Sequence, residues 1–186
     1  GDGLADLVEA RFSKGKIVYR LNQNGSNWGP EQSYEVPNIQ ATANGVDDPR
    51  LLLADMNGNG SADIVWFMAD KIHYLELFPI RPNLISQIEN GLGQVTTVEY
   101  VSSVVERIRD RNAGDSWNYP LASPMQVVKR TRTWEKLTPS LKDETVYVYH
   151  DGYYDGDEKQ FRGYEWVETH SEGDASSASS KTISQY

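Results

Sequence analysis

Oxygen-bearing side chains recur along Asp55-Met56-Asn57-Gly58-Asn59-Gly60-Ser61-Ala62-Asp63, at the first, third, fifth and ninth positions, with glycine at the sixth. Ca²⁺ is a hard cation that takes six to eight oxygens at about 2.3–2.6 Å, so a short loop can wrap it if alternate side chains point inward and a glycine allows the sharp turn. On this reading Asp55, Asn57, Asn59 and Asp63 supply side-chain oxygens, Ser61 its backbone carbonyl, and Gly60 the turn. An EF-hand is excluded. Its twelfth position, which needs a bidentate Glu, is Trp66, and Ile64-Val65-Trp66-Phe67 is β-branched and aromatic, the pattern of a strand. The same residue types also make plain tight turns, where they bond their own backbone.

Repetition favours the metal loop. Gly1-Asp2-Gly3-Leu4-Ala5-Asp6-Leu7-Val8 repeats Gly58-Asn59-Gly60-Ser61-Ala62-Asp63-Ile64-Val65 at an offset of 57 residues, and Lys16-Ile17-Val18-Tyr19 matches Lys71-Ile72-His73-Tyr74 at an offset of 55. Asp2 and Asp6 therefore become candidate ligands of a first loop, with Gly3 in the place of Gly60. The first and third ligands of that loop would precede Gly1, so the expectation is a segment of a longer protein. Strands are predicted over Leu4–Phe12, Lys16–Leu21, Ser33–Val36, Arg50–Asp55, Ile64–Met68 and Lys71–Phe78. Short strands recurring with a period near 57 residues imply a stacked or ring-like repeat architecture, each unit burying its apolar face against the next.

Apolar residues form 38% of the 186, with eleven Tyr, five Trp and 15 Gly, a composition suited to an all-β chain. Eighteen basic against 27 acidic residues give a formal charge of −9, which argues against nonspecific nucleic-acid or anionic-membrane binding. No cysteine is present, so disulfides and thiolate chemistry are excluded. No apolar run is long enough to span a bilayer, so no direct membrane insertion is expected.

Pro79 and Pro82 mark a change, since proline cannot donate in a central strand. Beyond them Leu84–Glu89 and Gln94–Tyr100 make a hairpin around Asn90-Gly91-Leu92-Gly93. Val101–Ile108 reads equally as strand or helical turn, and Arg109–Trp117 as a charged loop. Met125–Leu137, Glu144–Tyr149 and Gly163–Thr169 are further strands, and Ser171–Lys181 is Ser-rich and expected to be flexible. The expected division is therefore 1–78, loop-and-strand repeats with the first truncated; 79–170, a β-rich segment; and 171–186, a tail.

The loop pattern resembles the FG-GAP (integrin-type) β-propeller family, whose D-x-[DN]-x-[DN]-G-x-x-D loop is matched by Asp55, Asn57, Asn59, Gly60 and Asp63, and in its second half by Asp2, Gly3 and Asp6. That resemblance implies propeller blades and a structural calcium. The later part is similar to the region after the propeller in the B component of bacterial insecticidal toxin complexes and in the plasmid virulence protein B group. The residues that carry this likeness are Asn83-Leu84-Ile85 through Gly93, Thr96–Tyr100, Tyr147–Tyr149, Asp151–Asp155 and Phe161–Tyr164, with Glu168 after them. The resemblance implies an Rhs-type shell of β-strands enclosing a toxic effector. Implied partners are a pore-forming component and an effector-bearing shell component, and the implied location is outside a bacterial cell. Val101–Leu137 matches only loosely, and no role is carried onto it.

Catalytic signatures were sought beside this. His73, His150 and His170 form no metal-binding spacing, and His73 aligns with Val18, which favours packing. Asp151, Asp155, Asp157 and Glu158 follow His150; paired carboxylates can cleave glycosidic bonds, but a solvated loop between strands explains them more simply. Lys129, Arg130, Arg132 and Trp134 have the residue types of a single-strand track, yet basic residues on both faces of one strand more often pair with acidic neighbours. The reading is a non-catalytic structural and docking segment of a secreted bacterial toxin. The alternatives are a calcium-binding adhesion or carbohydrate-binding module, and a polysaccharide-active enzyme using the Asp151–Glu158 loop.

Overall fold

The computed structural model describes residues 4–36, 51–68, 71–79, 81–173 and 178–186. Asp2, Gly3, the loop expected over 39–48 and the turn expected at Ala69-Asp70 lie outside them. The chain divides into two compact units, one of 1–56 with 61–83, the other of 57–60 with 84–186.

The first unit contains two three-stranded antiparallel sheets. One holds β1 (Leu7–Arg11), β2 (Lys16–Arg20) and β3 (Gln32–Glu35) in that order, and the other β4 (Leu51–Ala54), β5 (Asp63–Met68) and β6 (Lys71–Leu75). Arg11 pairs with Lys16 across the first hairpin and Met68 with Lys71 across the second. Four residues separate the first pair and two the second, so the two-residue slip in the sequence repeat falls in the hairpin turn. The longer turn is a short 3₁₀ stretch, Phe12–Lys14, closed by Gly15 in the left-handed conformation.

Strand alternation then decides the core. Ile64 and Trp66 share one face of β5 and join Phe12, Ile17 and Val36 in a single buried cluster, while Val65 and Phe67 lie on the opposite face. Ile17 and Ile64 are fully buried, and each contributes roughly 1.5–3 kcal/mol through that burial. Trp66, at the position an EF-hand would give to a ligand, is instead core: it stacks on His73 with ring centroids 5.7 Å apart and lies 6.4 Å from Phe12. His73 thus packs, as its alignment with Val18 implied.

The second unit is one six-stranded antiparallel sheet, ordered β12-β11-β10-β9-β8-β7, with one helix. Its elements are β7 (Gln87–Glu89), β8 (Gln94–Ser102), α1 (Ser103–Ala113), β9 (Gln126–Glu135), β10 (Thr138–Asp155), β11 (Gln160–Ser171) and β12 (Ser180–Gln185). The hairpin at 90–93 is held by Asn90 Oδ1, which accepts from the N–H groups of Leu92 and Gln94 at 2.8 and 3.0 Å. Between β10 and β11 the register slips at Tyr153/Tyr154, and the bulge is made possible by Gly163 at φ 117°.

Three expectations are corrected. The fold is mostly β rather than all-β, because Ser103–Ala113, read as ambiguous and then as loop, is an α-helix. Its N-cap is Ser102, whose hydroxyl accepts from the Val104 N–H, and Gly114 in the left-handed conformation ends it. The Gly163–Thr169 strand is longer than expected and is not the last. Ser180–Gln185, expected within a flexible tail, is strand β12, paired along β11 from Trp166↔Gln185 to Ser171↔Ser180. Two basic residues of β9 are paired as expected: Arg130 and Arg132 both reach Glu144, at 2.9 and 2.5 Å, and both reach Glu99 on β8.

Candidate functional site

The loop between β4 and β5 places its predicted donors unevenly. Asp63, which opens β5 opposite Ala54, is fully buried. Its Oδ2 accepts from the Met56 N–H at 2.8 Å, while Oδ1 is buried with no hydrogen-bond partner among the described residues. A buried carboxylate oxygen without a partner is costly unless a proton or a cation meets it. Burial raises the Asp63 carboxyl above its ordinary 3.8, and the negative charges of Glu76 and Asp55 raise it further, against the opposing effect of the Met56 N–H. Glu76 follows β6 directly, one step beyond the Ile64↔Leu75 pair, and so stands across from Asp63. The loop motif ends before it, so only strand pairing reveals this carboxylate.

The remaining donors are arranged as a turn requires. Ser61 is buried, and its neighbour Gly60 takes φ 83°, the conformation expected of the turn glycine. Asn57 Oδ1 accepts from the Asn59 N–H at 3.0 Å, an Asx-turn bond. Residues 57–60 belong to the second unit: Ser102 Oγ donates to the Gly58 carbonyl and Gln126 Nε2 to that of Asn59. Gly58, at φ 72°, has no room for a side chain, because a Cβ there would meet Val104 Cγ2 at 2.7 Å. Asp6, the described ligand candidate of the first loop, has an acceptor role already, receiving the Asn22 N–H at 2.9 Å. Among the described residues no three His, Cys, Asp or Glu side chains gather as a metal site. Asp63 is thus the predicted ligand that keeps a buried oxygen unmatched among the described residues.

A second constellation was missed in the sequence. Ser103, Glu106 and Asp110, spaced three and four apart, form the buried face of α1. Asp110 Oδ2 accepts from the Trp117 indole N–H at 2.6 Å and lies 2.9 Å from His150 Nδ1, and Asp110 Oδ1 receives the Arg109 guanidinium at 2.6 Å. Arg109 also bonds Glu106 and the Tyr149 carbonyl, and Glu106 accepts from the Tyr149 N–H at 3.0 Å. His150 stacks on Trp166 at 3.9 Å, with its Nε2 buried 4.0 Å from Glu168 Oε1. Burial first, then the nearby Tyr147 and Glu106, push the Tyr149 hydroxyl up to about 12. No nucleophile stands against His150 in this set, and every charged member already holds another, which makes it a brace between helix and sheet.

Against this geometry, a model of the insecticide toxin TcdB middle/N-terminal region matches residues 23–186. The chain belongs to that family. Among curated proteins none matches. The crystal structures of TcdB2-TccC3 and of TcdB2-TccC3 without the hypervariable C-terminal region align with it at TM-scores of 0.69 and 0.70, with 23% and 22% identity. The Photorhabdus luminescens Tc holotoxin pore aligns at 0.70 and 23%. Each alignment covers 97% of this chain and 8% of the other, and at this identity the likeness speaks for the fold.

Within this TcdB-type segment the acidic run at the end of β10 and in the turn after it is held by local bonds. Asp155 Oδ1 accepts from the N–H groups of Asp157 and Glu158, at 3.0 and 3.1 Å, and those bonds, Glu158's foremost, hold its carboxyl below the usual range. Glu158 is taken by Arg162, and Asp151 by both the backbone N–H and the side chain of Asn118, at 2.6 and 2.9 Å. His170 bonds Glu168 at 2.8 Å. The carboxylates of Asp151, Asp155 and Glu158 are thus engaged in closing a turn and anchoring a loop. No described helix is long and apolar enough to cross a membrane.

Proposed function

We propose that the chain is a non-catalytic structural and docking segment of a large secreted bacterial toxin, joining the last repeats of a β-propeller to the first strands of a shell that encloses a toxic effector. The observation that carries this is the family match, over a sheet of six strands that leaves β12 and β7 as open edges. A strand edge is a row of unpaired backbone groups that a further strand extends. The propeller reading is supported by the two similar sheets of the first unit and by Leu52, Phe67, Ile72 and Tyr74. These side chains lie on the outer face of β4-β5-β6, each at least half exposed, as a face meant for the next repeat would be. The partners would be a pore-forming component and an effector-bearing shell component, of the kind that the TcdB2-TccC3 and holotoxin structures contain. An antibody to this chain should detect, outside the producing cells, a polypeptide far larger than 186 residues that co-purifies with large partners. A band at the size of the chain itself would end the proposal.

Calcium bracing is the finer part of the same reading, supported by the unmatched Asp63 Oδ1. The sign of its pH dependence follows from the raised carboxyl: its contribution to stability is complete below the unfolded value of 3.8 and lost as pH rises through the folded one. In chelator, the melting temperature should therefore fall between pH 4 and neutrality, and calcium should restore it. Asp63→Asn, which keeps the acceptor for Met56 and removes the charge, should flatten the pH profile and abolish the response to calcium. An unchanged calcium response in Asp63→Asn would remove the ion from this loop. The adhesion-module and polysaccharide-enzyme readings gain no specific observation.

A further inference from the structure

We infer that the cavity at the C-terminal end of α1 is a docking pocket for an acidic segment of a partner polypeptide, read by Arg107 and Arg111 against an aromatic wall. The pocket has a volume of about 300 Å³, and Arg107, Arg111, Trp117, Asn118, Tyr119 and Pro120 form its sides. Arg107 and Arg111, one turn apart on the helix, project side by side. Neither guanidinium has a hydrogen bond or ion pair among the described residues, and no carboxylate lines the cavity. That is notable in a chain of net charge −9, where Arg11, Arg20, Arg109, Arg130, Arg132 and Arg162 each hold a carboxylate. Arg81 also lacks one among the described residues, but it does not line this cavity.

The opposite wall is fixed before any ligand arrives. Trp117 is tied by its indole N–H to Asp110 and packs edge-on to Tyr164, with centroids 5.9 Å apart. Asn118 makes its two bonds to Asp151, and Tyr119 lies edge-on to Tyr153 at 4.9 Å. Two neighbouring guanidinium groups suit a carboxylate through paired, charge-assisted hydrogen bonds. The residue types of the walls, Arg, Trp and Tyr, are those that carry the energy of protein–protein contacts. Ile108, on the same side of the helix and 41% exposed, extends the surface beyond what a small anion would use. An arginine in the last helical turn also answers the helix dipole. That accounts for Arg111 but not for Arg107, one turn earlier.

The test uses the whole chain with ¹⁵N-labelled arginine, following the Nε–H signals of Arg107 and Arg111. The probes are N-acetyl-Glu-Tyr-Glu-amide, its Gln-Tyr-Gln counterpart, and inorganic phosphate. The acidic peptide should move both signals saturably and together, and the neutral peptide should leave them in place. R107Q with R111Q should weaken peptide binding roughly tenfold or more, since hydrogen bonds to a charged partner are the strong ones. Tyr119→Ala, at an exposed position, should weaken it with both arginines intact. Unmoved signals, an equal response to the neutral peptide, phosphate binding as tight as the acidic peptide, or undiminished binding by both variants would each overturn the assignment.

Discussion

Asp110→Ala is expected to destabilise the second unit by about 3–5 kcal/mol, the cost of breaking one side of a buried ion pair. Asp110 is the hub of the polar face of α1: its side chain is 5% exposed and meets Arg109, Trp117 and His150 at once. Removing it leaves the Trp117 indole N–H and the His150 imidazole nitrogen without their acceptor, and leaves Arg109 only Glu106 and the Tyr149 carbonyl. Asp110→Asn keeps one acceptor oxygen, so it should cost less, while still losing the charge that holds Arg109. Urea unfolding followed by tryptophan fluorescence would measure both, and the order Asn above Ala is the informative part. Equal midpoints for Asp110→Ala and the parent would show that the network contributes no stability, leaving α1 held by its caps and its contacts along β10.

Trp66→Ala should cost the first unit about 3–5 kcal/mol, the range for deleting a large buried aromatic. Trp66 is 3% exposed and joins the two sheets of that unit through Phe12 while stacking on His73 across the β5–β6 pair. Its indole nitrogen has no hydrogen-bond partner among the described residues, so Trp66→Phe should be far milder: it forfeits some contact area but none of these bonds. A large loss in Phe as well as Ala would mean that the indole itself is bonded. His73→Ala should also be milder than Trp66→Ala, because His73 is only half-buried and contributes through the stack.

Much of the strand plan was legible because period-two alternation and turn dipeptides are local. The hairpin at Asn90–Gly93 and the strands from Lys16 and Lys71 follow from neighbours in the chain. Helix α1 was not legible, for a physical reason. A helix is read from an apolar stripe, but here the buried stripe is Ser103, Glu106 and Asp110, while Val105 and Ile108 face outward, 49% and 41% exposed. Its burial energy comes from paired charges, which no periodicity of apolar residues reports. The spacing 103, 106, 110 was the one available signal.

The sequence by itself determined the repeat, the run of oxygen-bearing residues at Asp55–Asp63 and the family, since each depends on residue types at fixed intervals. Tertiary structure alone decided which oxygen goes unmatched, that Glu76 stands opposite Asp63, that Ser180–Gln185 closes onto β11, and that His150 is clasped by a helix forty residues away. Those are relations between segments distant in the chain, set by strand pairing and packing, and a linear pattern carries no term for them.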